Sequence, residues 1–260
     1  MPRRRALRSS WTRQIEEARN HSNMPTFNNS VSIIVPTRNE AENVASLVSQ
    51  IVSRPVALQE ILFVDDSTDA TRDVIRSLAA NHPVRLIEQD RARPGLAAAV
   101  MSGAEAATGT FLLIMDADLS HPPQRINDLL APLLTNTADM VIGSRYIPGG
   151  STPGWPFWRR MLSRAGAALA YPLTGVHDSM SNFFAIARSR LLELAPPANG
   201  SRTAFEAMVR AGPTLRVLEI PIVFRDRARG RSKMSLGIVF RCFSRWLVAV
   251  FRHVCGRVIA

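Results

Sequence analysis

Short apolar runs alternate with helically spaced apolar positions along most of the chain. Runs rich in β-branched and aromatic residues predict strands at residues 31–36, 60–64, 84–87, 111–115 and 140–142. Apolar positions at helical spacing predict helices at residues 41–52, 71–80, 95–107 and 128–134, with Asn39 placed to cap the first of them. This alternation indicates an α/β domain whose mainly parallel sheet carries helices on both faces.

A loop rich in proline and glycine, residues 148–156, separates this half from a second one. There the pattern predicts an arginine-rich helix at 158–171, a strand at 183–186, a helix around 205–210 and a strand at 215–223. We expect this half to complete a domain spanning residues 31–234. The flanking segments are expected to be a flexible basic arm at 1–30 and a separate amphipathic helix at 235–260.

The positive charge is concentrated in the two terminal segments. The chain has 260 residues, 46% of them hydrophobic, and a formal net charge of +11, and Lys233 is its only lysine. Residues 1–30 carry six Arg and two Glu, and residues 224–260 carry eight Arg, one Lys and one Asp. The apolar fraction excludes wholesale disorder and collagen, and the basic ends favour a polyanionic partner, either nucleic acid or an anionic membrane. The two cysteines, Cys242 and Cys255, are too few to staple the fold, so a reducing compartment is expected.

The C-terminal segment predicts how the chain meets such a partner. On a helix over residues 236–259, the apolar side chains form one broad face and Arg241, Arg245 and Arg252 lie opposite. Two interpretations stay open: a helix packed on its own domain, or a helix lying in a membrane interface or against a membrane partner. Basic residues do not alternate with stacking aromatics, so nucleic acid is the weakest option. No run approaches the ~20 apolar residues of a spanning helix and no apolar run follows the basic N-terminus, so neither a spanning helix nor a secretory signal is expected.

Paired carboxylates follow two of the predicted strands. Asp65 and Asp66 come after the second strand, and Asp116 and Asp118 come after the fourth. Ligands of open α/β sheets bind beyond the carboxyl ends of the strands, and a spacing of two puts both members of Asp-x-Asp on one side of the chain. Two such carboxylates repel each other unless a cation such as Mg²⁺ or Mn²⁺ lies between them, its shell completed by water and phosphate oxygens. The alternative is that Asp116 and Asp118 only cap a turn or the next helix.

Other ligand patterns are absent or weak. The chain has neither a G-x-x-x-x-G-K-[ST] phosphate loop nor a G-x-G-x-x-G run after the first strand, which argues against a P-loop and a dinucleotide site. His121 follows Asp118 by three residues, as a further metal ligand would. Because no second histidine stands nearby, we expect a solvated loop histidine instead.

Eight motifs in order resemble those of a known family. The first five, VPTRNE (35–40), VDDSTDAT (64–71), GLAAAV (95–100), MDADLSHPP (115–123) and GSRY (143–146), resemble the family 2 inverting glycosyltransferases, which have a GT-A fold. The last three, WRRMLSR (158–164), DSMSNFFA (178–185) and RARGRSKM (227–234), resemble the branch of polyprenyl-phosphate and dolichol-phosphate mannose synthases. The chain departs from the family where Arg38 replaces a common tyrosine, where Asn182 replaces a glycine and where the 64–71 loop lacks its glycines.

The resemblance implies a donor side and an acceptor side. On the donor side, the nucleotide pocket would be lined by Pro36, Arg38 and Glu40, with Asp65 or Asp66 near the base or ribose. Mg²⁺ or Mn²⁺ and the diphosphate would be held by Asp116 and Asp118, with Ser120 as a further ligand. On the acceptor side, a lipid phosphate would meet Arg145, Arg159 and Ser163, while Arg227 and Lys233 would close over the nucleotide or the acceptor phosphate.

The function expected from this resemblance is a metal-dependent, inverting transfer of a hexose to a polyprenyl monophosphate at the cytoplasmic membrane surface. The resemblance to the mannose synthase branch implies GDP-mannose as the sugar donor. A phosphate acceptor is already anionic and needs no general base, only arginine to hold it. Two alternatives stay open. The same fold could use a UDP-glucose type donor and a hydroxyl acceptor, with Asp178 or Glu206 as the base, or the chain could be a non-enzymatic protein that binds nucleic acid.

Overall fold

The computed structural model describes residues 29–226, apart from residues 91, 93 and 197–201. The strands are β1 (Val31–Thr37), β2 (Leu58–Asp65), β3 (Val84–Glu88), β4 (Phe111–Ile114), β5 (Met140–Ser144), β6 (Phe184–Ala187) and β7 (Val217–Pro221). The α-helices are α1 (Ala41–Val52), α2 (Thr71–Ala79), α3 (Leu96–Ala106), α4 (Ile126–Leu134), α5 (Phe157–Thr174), α6 (Arg188–Leu194) and α7 (Thr203–Ala211). The predicted helix at 236–259 and most of the N-terminal arm lie outside the described residues.

All seven strands form one sheet in the order β3-β2-β1-β4-β6-β5-β7. Every neighbouring pair is parallel except the two that involve β6, which runs antiparallel to both β4 and β5. The α/β class and the mainly parallel sheet predicted from the alternating pattern are therefore confirmed. The carboxyl ends of β1, β2 and β4 meet at the same edge, which places the loops that follow them side by side.

Apolar layers bury both faces of the sheet. Alternate residues of β1 show this, since Ile33 and Val35 pack with α1 and α4 while Ile34 packs with α3 and α7 on the opposite face. A strand covered on both faces must be apolar at nearly every position, which is why its sequence is continuous rather than alternating. Helix α3 approaches β1 so closely that a Cβ on Gly103 would lie 2.6 Å from Ile34 Cγ2.

Two details of the helices differ from the sequence-based expectations. Asn39 does not cap α1: its backbone is left-handed (φ 54°), and its side chain accepts a hydrogen bond from the Thr68 N–H instead. Helix α6 was not predicted, because seven residues are too few to establish a helical period. Between residues 29 and 226, none of the helices is both long and apolar enough to cross a bilayer.

Candidate active site

Hydrogen bonds join the loop after β1 to the loop after β2. The Asn39 N–H donates to Ser67 Oγ (2.8 Å), the Thr68 N–H donates to Asn39 Oδ1 (2.9 Å), and the Glu40 N–H donates to Thr71 Oγ1 (2.9 Å). The left-handed backbone at Asn39, a residue type that tolerates this conformation, lets the chain make these contacts. The two loops therefore form one rigid rim, which carries Arg38 and Glu40 and begins beside Pro36.

The two acids after β2 occupy different environments. Asp65 is fully buried and accepts hydrogen bonds from the Ser67 N–H and hydroxyl and from Arg72 Nε (2.8 Å). Asp66 lies at the surface, 3.7 Å from the guanidinium of Arg38. Asp65 thus fixes the conformation of the loop after β2. Asp66 and Arg38 are exposed and could contact a ligand.

Asp116 and Asp118 follow β4, which is next to β1 in the sheet. Asp118 is buried, and its Oδ1 accepts hydrogen bonds from the N–H (3.1 Å) and hydroxyl (2.6 Å) of Ser120. Leu119 between them has φ 62°, a left-handed conformation that is strained for a residue of this size. This strained turn brings the buried Asp118 and the partly exposed Asp116 to the same strand end as the predicted nucleotide rim.

The oxygen ligands of Asp116, Asp118 and Ser120 suit a divalent ion whose remaining ligands come from water and substrate. Two carboxylates and a serine hydroxyl are hard oxygen ligands, as Mg²⁺ and Mn²⁺ prefer. Within residues 29–226, no three His, Cys, Asp or Glu side chains converge to form a closed metal cage. An ion at Asp116 and Asp118 would therefore complete its shell with water and diphosphate oxygens, in keeping with magnesium chemistry.

His121 is not a solvated loop residue, contrary to the expectation from its isolation in the sequence. Its ring is buried, stacks on Phe183 (5.0 Å between centroids, 10° between planes) and meets the edge of Phe224 at 5.2 Å. Its Nδ1 accepts a hydrogen bond from the Asp116 N–H at 3.0 Å. Burial lowers the pKa of His121 and outweighs the opposing charges of Asp116 and Asp118, so the ring is neutral.

A buried ion pair includes Arg145, one of the residues predicted for the acceptor side. Arg145 follows β5, and its Nε and Nη2 bind the two carboxylate oxygens of Asp178 at 2.8 and 2.7 Å. Burial alone would lower the pKa of Arg145, but the hydrogen bonds and charge of Asp178 outweigh it and raise the pKa above its usual value. Asp178, one of two base candidates for a hydroxyl acceptor, is thus committed to orienting Arg145. Glu219 in turn accepts the Asp178 N–H at 3.0 Å.

The structure brings Arg145, Arg159 and Ser163 together through two aromatic residues that sequence reasoning missed. The Trp155 ring lies 3.9 Å from the Arg159 guanidinium carbon and 5.6 Å from that of Arg145. Tyr146 donates its hydroxyl hydrogen to Ser163 Oγ at 2.5 Å. The only sequence signal for these two residues was their position: Tyr146 adjoins Arg145, and Trp155 precedes the arginine-rich helix.

Arg145, Tyr146, Trp155, Arg159 and Ser163 form what we call the acceptor cluster, and two of its buried nitrogen donors have no partner among the described residues. Trp155 Nε1 and Arg159 Nε make no hydrogen bond within the described part of the chain, although buried donors are normally paired. Arg159 Nη1 binds Asp226 Oδ1 at 3.2 Å, and Asp226 is the last residue of the described range. Arg227 and Lys233, expected to close over a phosphate, lie outside the described residues. Such donors, on and beside the paired arginines, are hydrogen-bonding groups that an anionic ligand could satisfy.

Helix α5 carries an unusual outer surface. Its large apolar side chains on one arc of about 140° are exposed, with Phe157 at 71% and Trp158 at 62%, and they are joined there by Met161, Leu162 and Leu169. An open groove of about 370 Å³ runs along the same helix, lined by Tyr146, Arg164, Ala167, Ala168, Tyr171 and His177. The groove lies beside the Tyr146–Ser163 hydrogen bond and thus extends the acceptor cluster along α5.

The mainly parallel sheet with acids at its carboxyl edge is that of a glycosyltransferase with a GT-A fold. Among solved structures, Mycobacterium tuberculosis glucosyl-3-phosphoglycerate synthase, in complex with Mg²⁺ and UDP, superposes with a TM-score of 0.65. It is 22% identical, and the match covers 85% of this chain and 79% of that one. At this identity the likeness concerns the fold.

The glycosyl transferase family 2 model matches residues 32–195, and the chain belongs to this family. It is 37% identical over 218 residues to dolichol-phosphate mannosyltransferase of Pyrococcus furiosus, a match that covers 81% of this chain and 60% of that enzyme. It is 33% identical over 224 residues to the enzyme of the same name from Saccharomyces cerevisiae, covering 81% of this chain and 83% of the relative. The chain thus spans about three fifths of the first relative and four fifths of the second.

Proposed function

We propose that this glycosyltransferase moves mannose from GDP-mannose to a polyprenyl monophosphate, with inversion, at a membrane surface. The relatives named dolichol-phosphate mannosyltransferase support the sugar and the acceptor class. The observation that carries the proposal is the acceptor cluster: Arg145 and Arg159 flank Trp155 beside Ser163, and two buried donors there have no partner among the described residues. That cluster is built for an anion rather than for a neutral hydroxyl.

On the donor side, the rim formed by the loops after β1 and β2 would hold the nucleoside. Arg38 and Asp66 are the exposed groups of that rim, and Asp65 keeps its turn in shape. Asp116 and Asp118, with Ser120 as a further candidate, would hold Mg²⁺ or Mn²⁺, which would offset the charge that develops on the leaving diphosphate. The Asp118–Ser120 hydrogen bonds hold these two candidate ligands next to each other at the strand end.

On the acceptor side, the chain's own residues orient the nucleophile. A lipid phosphate is already anionic, so an oxygen can attack the anomeric carbon without a base removing a proton. Arg145 and Arg159 would bind the other phosphate oxygens through the guanidinium N–H groups that do not already bond Asp178 and Asp226. Attack from the face opposite the leaving diphosphate inverts the anomeric configuration. Asp178 serves this step indirectly, because it holds the Arg145 guanidinium in place.

The exposed apolar arc of α5 supports placement at a membrane surface. Arg159 and Ser163 lie on the inner side of the same helix, so a lipid whose phosphate reaches them keeps its tail near the outer side. Phe157 and Trp158 at the helix start, with Arg160 and Arg164 beside the arc, match the composition of interfacial helices. We place this arc against the cytoplasmic leaflet. The basic segment 235–260 would add attraction to anionic lipid, at about 1 kcal/mol per basic residue near the surface.

The proposal is tested by incubating the purified chain with radiolabelled GDP-mannose or UDP-glucose, a polyprenyl phosphate, and either Mn²⁺ or a chelator. We expect mannosyl lipid from GDP-mannose only when the metal is present. Asp118→Asn should abolish the product, while Asp128→Asn, a matched change on the exposed side of α4, should leave it. Product that forms equally in chelator would refute the metal site, and a glucosylated hydroxyl product would replace the proposed reaction with the alternative one.

A further inference from the structure

Packing and a hydrogen bond both fix the His121 ring. Phe183 comes directly before β6 and covers one face, while Phe224 follows β7 and meets the ring edge-on at 73°. These two residues come from different parts of the chain, so the ring can neither rotate nor shift without disturbing both. The histidine is therefore held as rigidly as a core residue, although it belongs to the loop that carries the candidate metal ligands.

The hydrogen bond joins this fixed ring to Asp116. The Asp116 N–H donates to Nδ1 at 3.0 Å, so Nδ1 is the acceptor and the ring proton belongs on Nε2. Nε2 lies 3.9 Å from the Asp116 carboxylate. The ring thus touches both the main chain and the side chain of one residue. A buried aromatic ring without an acceptor nitrogen would fill the same space but leave the Asp116 N–H without this hydrogen bond.

The turn between Asp116 and His121 needs such an anchor. Leu119 is left-handed (φ 62°), a strained conformation that persists only where its surroundings enforce it. On one side the Ser120 bonds to Asp118 hold the turn, and the Ser120 carbonyl also accepts the Arg225 N–H at 3.3 Å. On the other side the His121–Asp116 bond closes it. The turn is thus closed by its own hydrogen bonds and joined by Arg225 to the segment that follows β7.

We propose that His121 is a positioning residue for the metal site, holding Asp116 at the place where it and Asp118 bind a divalent ion together with a nucleoside diphosphate. This inference rests on the proposed function. It assigns the ring no direct contact with metal or substrate. Removing a group that orients a metal ligand typically lowers metal affinity about 10- to 100-fold, and we expect an effect of that size here.

Two variants separate the hydrogen bond from the packing. His121→Phe keeps a flat ring between Phe183 and Phe224 but has no acceptor, whereas His121→Asn keeps an acceptor near the Nδ1 position and loses the ring. Mn²⁺ binding is measured by electron paramagnetic resonance of the free ion, with the protein saturated by GDP and, in parallel, by UDP. Nucleotide binding in EDTA and the thermal midpoint are measured on the same samples. His82→Phe is the matched control, because His82 precedes β3 at the opposite edge of the sheet.

We expect His121→Phe to weaken Mn²⁺ binding about tenfold or more, with nucleotide binding in EDTA within twofold of wild type. His121→Asn should recover most of the Mn²⁺ affinity, and His82→Phe should change nothing. Wild-type Mn²⁺ affinity in His121→Phe, or an equal loss in His121→Asn, overturns the positioning role. If His121→Phe does not fold, His121→Ala replaces it as the variant without an acceptor: loss of Mn²⁺ affinity in His121→Ala but not in His121→Asn supports the role, and equal affinity in the two overturns it. Wild-type protein that binds nucleotide but no Mn²⁺ would overturn the metal site of the proposed function itself.

Discussion

The ion pair between Arg145 and Asp178 offers the sharpest prediction about the acceptor side. Asp178 is fully buried and accepts three hydrogen bonds from Arg145, from its N–H, Nε and Nη2, at 2.7–2.8 Å. Asp178→Asn preserves the shape of the side chain and removes its charge. The Arg145 guanidinium, whose side chain is only 11% exposed, then stays charged without its ionic partner.

The expected cost follows from that burial. Removing one member of a buried ion pair typically destabilises a protein by about 3–5 kcal/mol, because the remaining charge is left uncompensated. Such a loss is a large share of the ~5–15 kcal/mol by which domains are stable. Asp128→Asn is the matched control, because its pair with Arg125 on α4 is exposed and such pairs contribute little. Replacing Arg145 and Asp178 together by leucine should cost less than the two single changes added.

Urea unfolding followed by tryptophan fluorescence measures this cost, and initial rates at varied acceptor concentration measure the function. We expect Asp178→Asn to lower the urea midpoint and to raise KM for polyprenyl phosphate, while slow hydrolysis of the sugar donor is spared in the protein that remains folded. An unchanged urea midpoint would refute the energetic argument. Equal loss of hydrolysis and transfer would assign Arg145 to the donor and refute its acceptor role.

Three further predictions concern other parts of the structure. Glu60 is buried with hydrogen bonds from Ser32, Thr108 and Arg85; burial raises its pKa, but these bonds outweigh burial and lower it. The ionised Glu60 should therefore stabilise the fold at neutral pH and lose that effect as pH falls below about 4.5. In acid unfolding followed by circular dichroism, Glu60→Gln should thus lose less stability with falling pH than the wild type, and identical profiles would contradict this. Met161→Glu should weaken sedimentation with anionic liposomes at least tenfold, since about 1.5–3 kcal/mol of apolar burial is lost, whereas Leu134→Glu on α4 should not; equal behaviour of the two would remove α5 from the membrane. Ala168→Trp should fill the groove and raise KM for farnesyl phosphate about tenfold, the loss of roughly two methylene contacts, and an unchanged KM would place the prenyl chain elsewhere.

Local patterns were sufficient for the sheet and for the donor acids. A strand buried on both faces has to be apolar throughout, so β1, β2 and β4 could be located from composition alone. The position of Asp116 and Asp118 followed from the same logic, because a residue after a parallel strand necessarily lies at the carboxyl edge. These features depend on neighbours within a few residues, and such neighbours are visible in the chain.

Contacts between distant residues were decided by the tertiary structure. The burial of His121 depends on Phe183 and Phe224, and the commitment of Asp178 depends on Arg145, 33 residues away. The apolar arc of α5 has the same character: its sequence fits a helix that packs on its own domain, and only the finished fold leaves that arc exposed. The sequence by itself thus determined the α/β sheet, the family and the acids at the strand ends. The burial of the histidine, the pairing of Arg145 with Asp178 and the exposure of the helix face were decided by the tertiary structure, because each depends on which distant residues pack at that place in the fold.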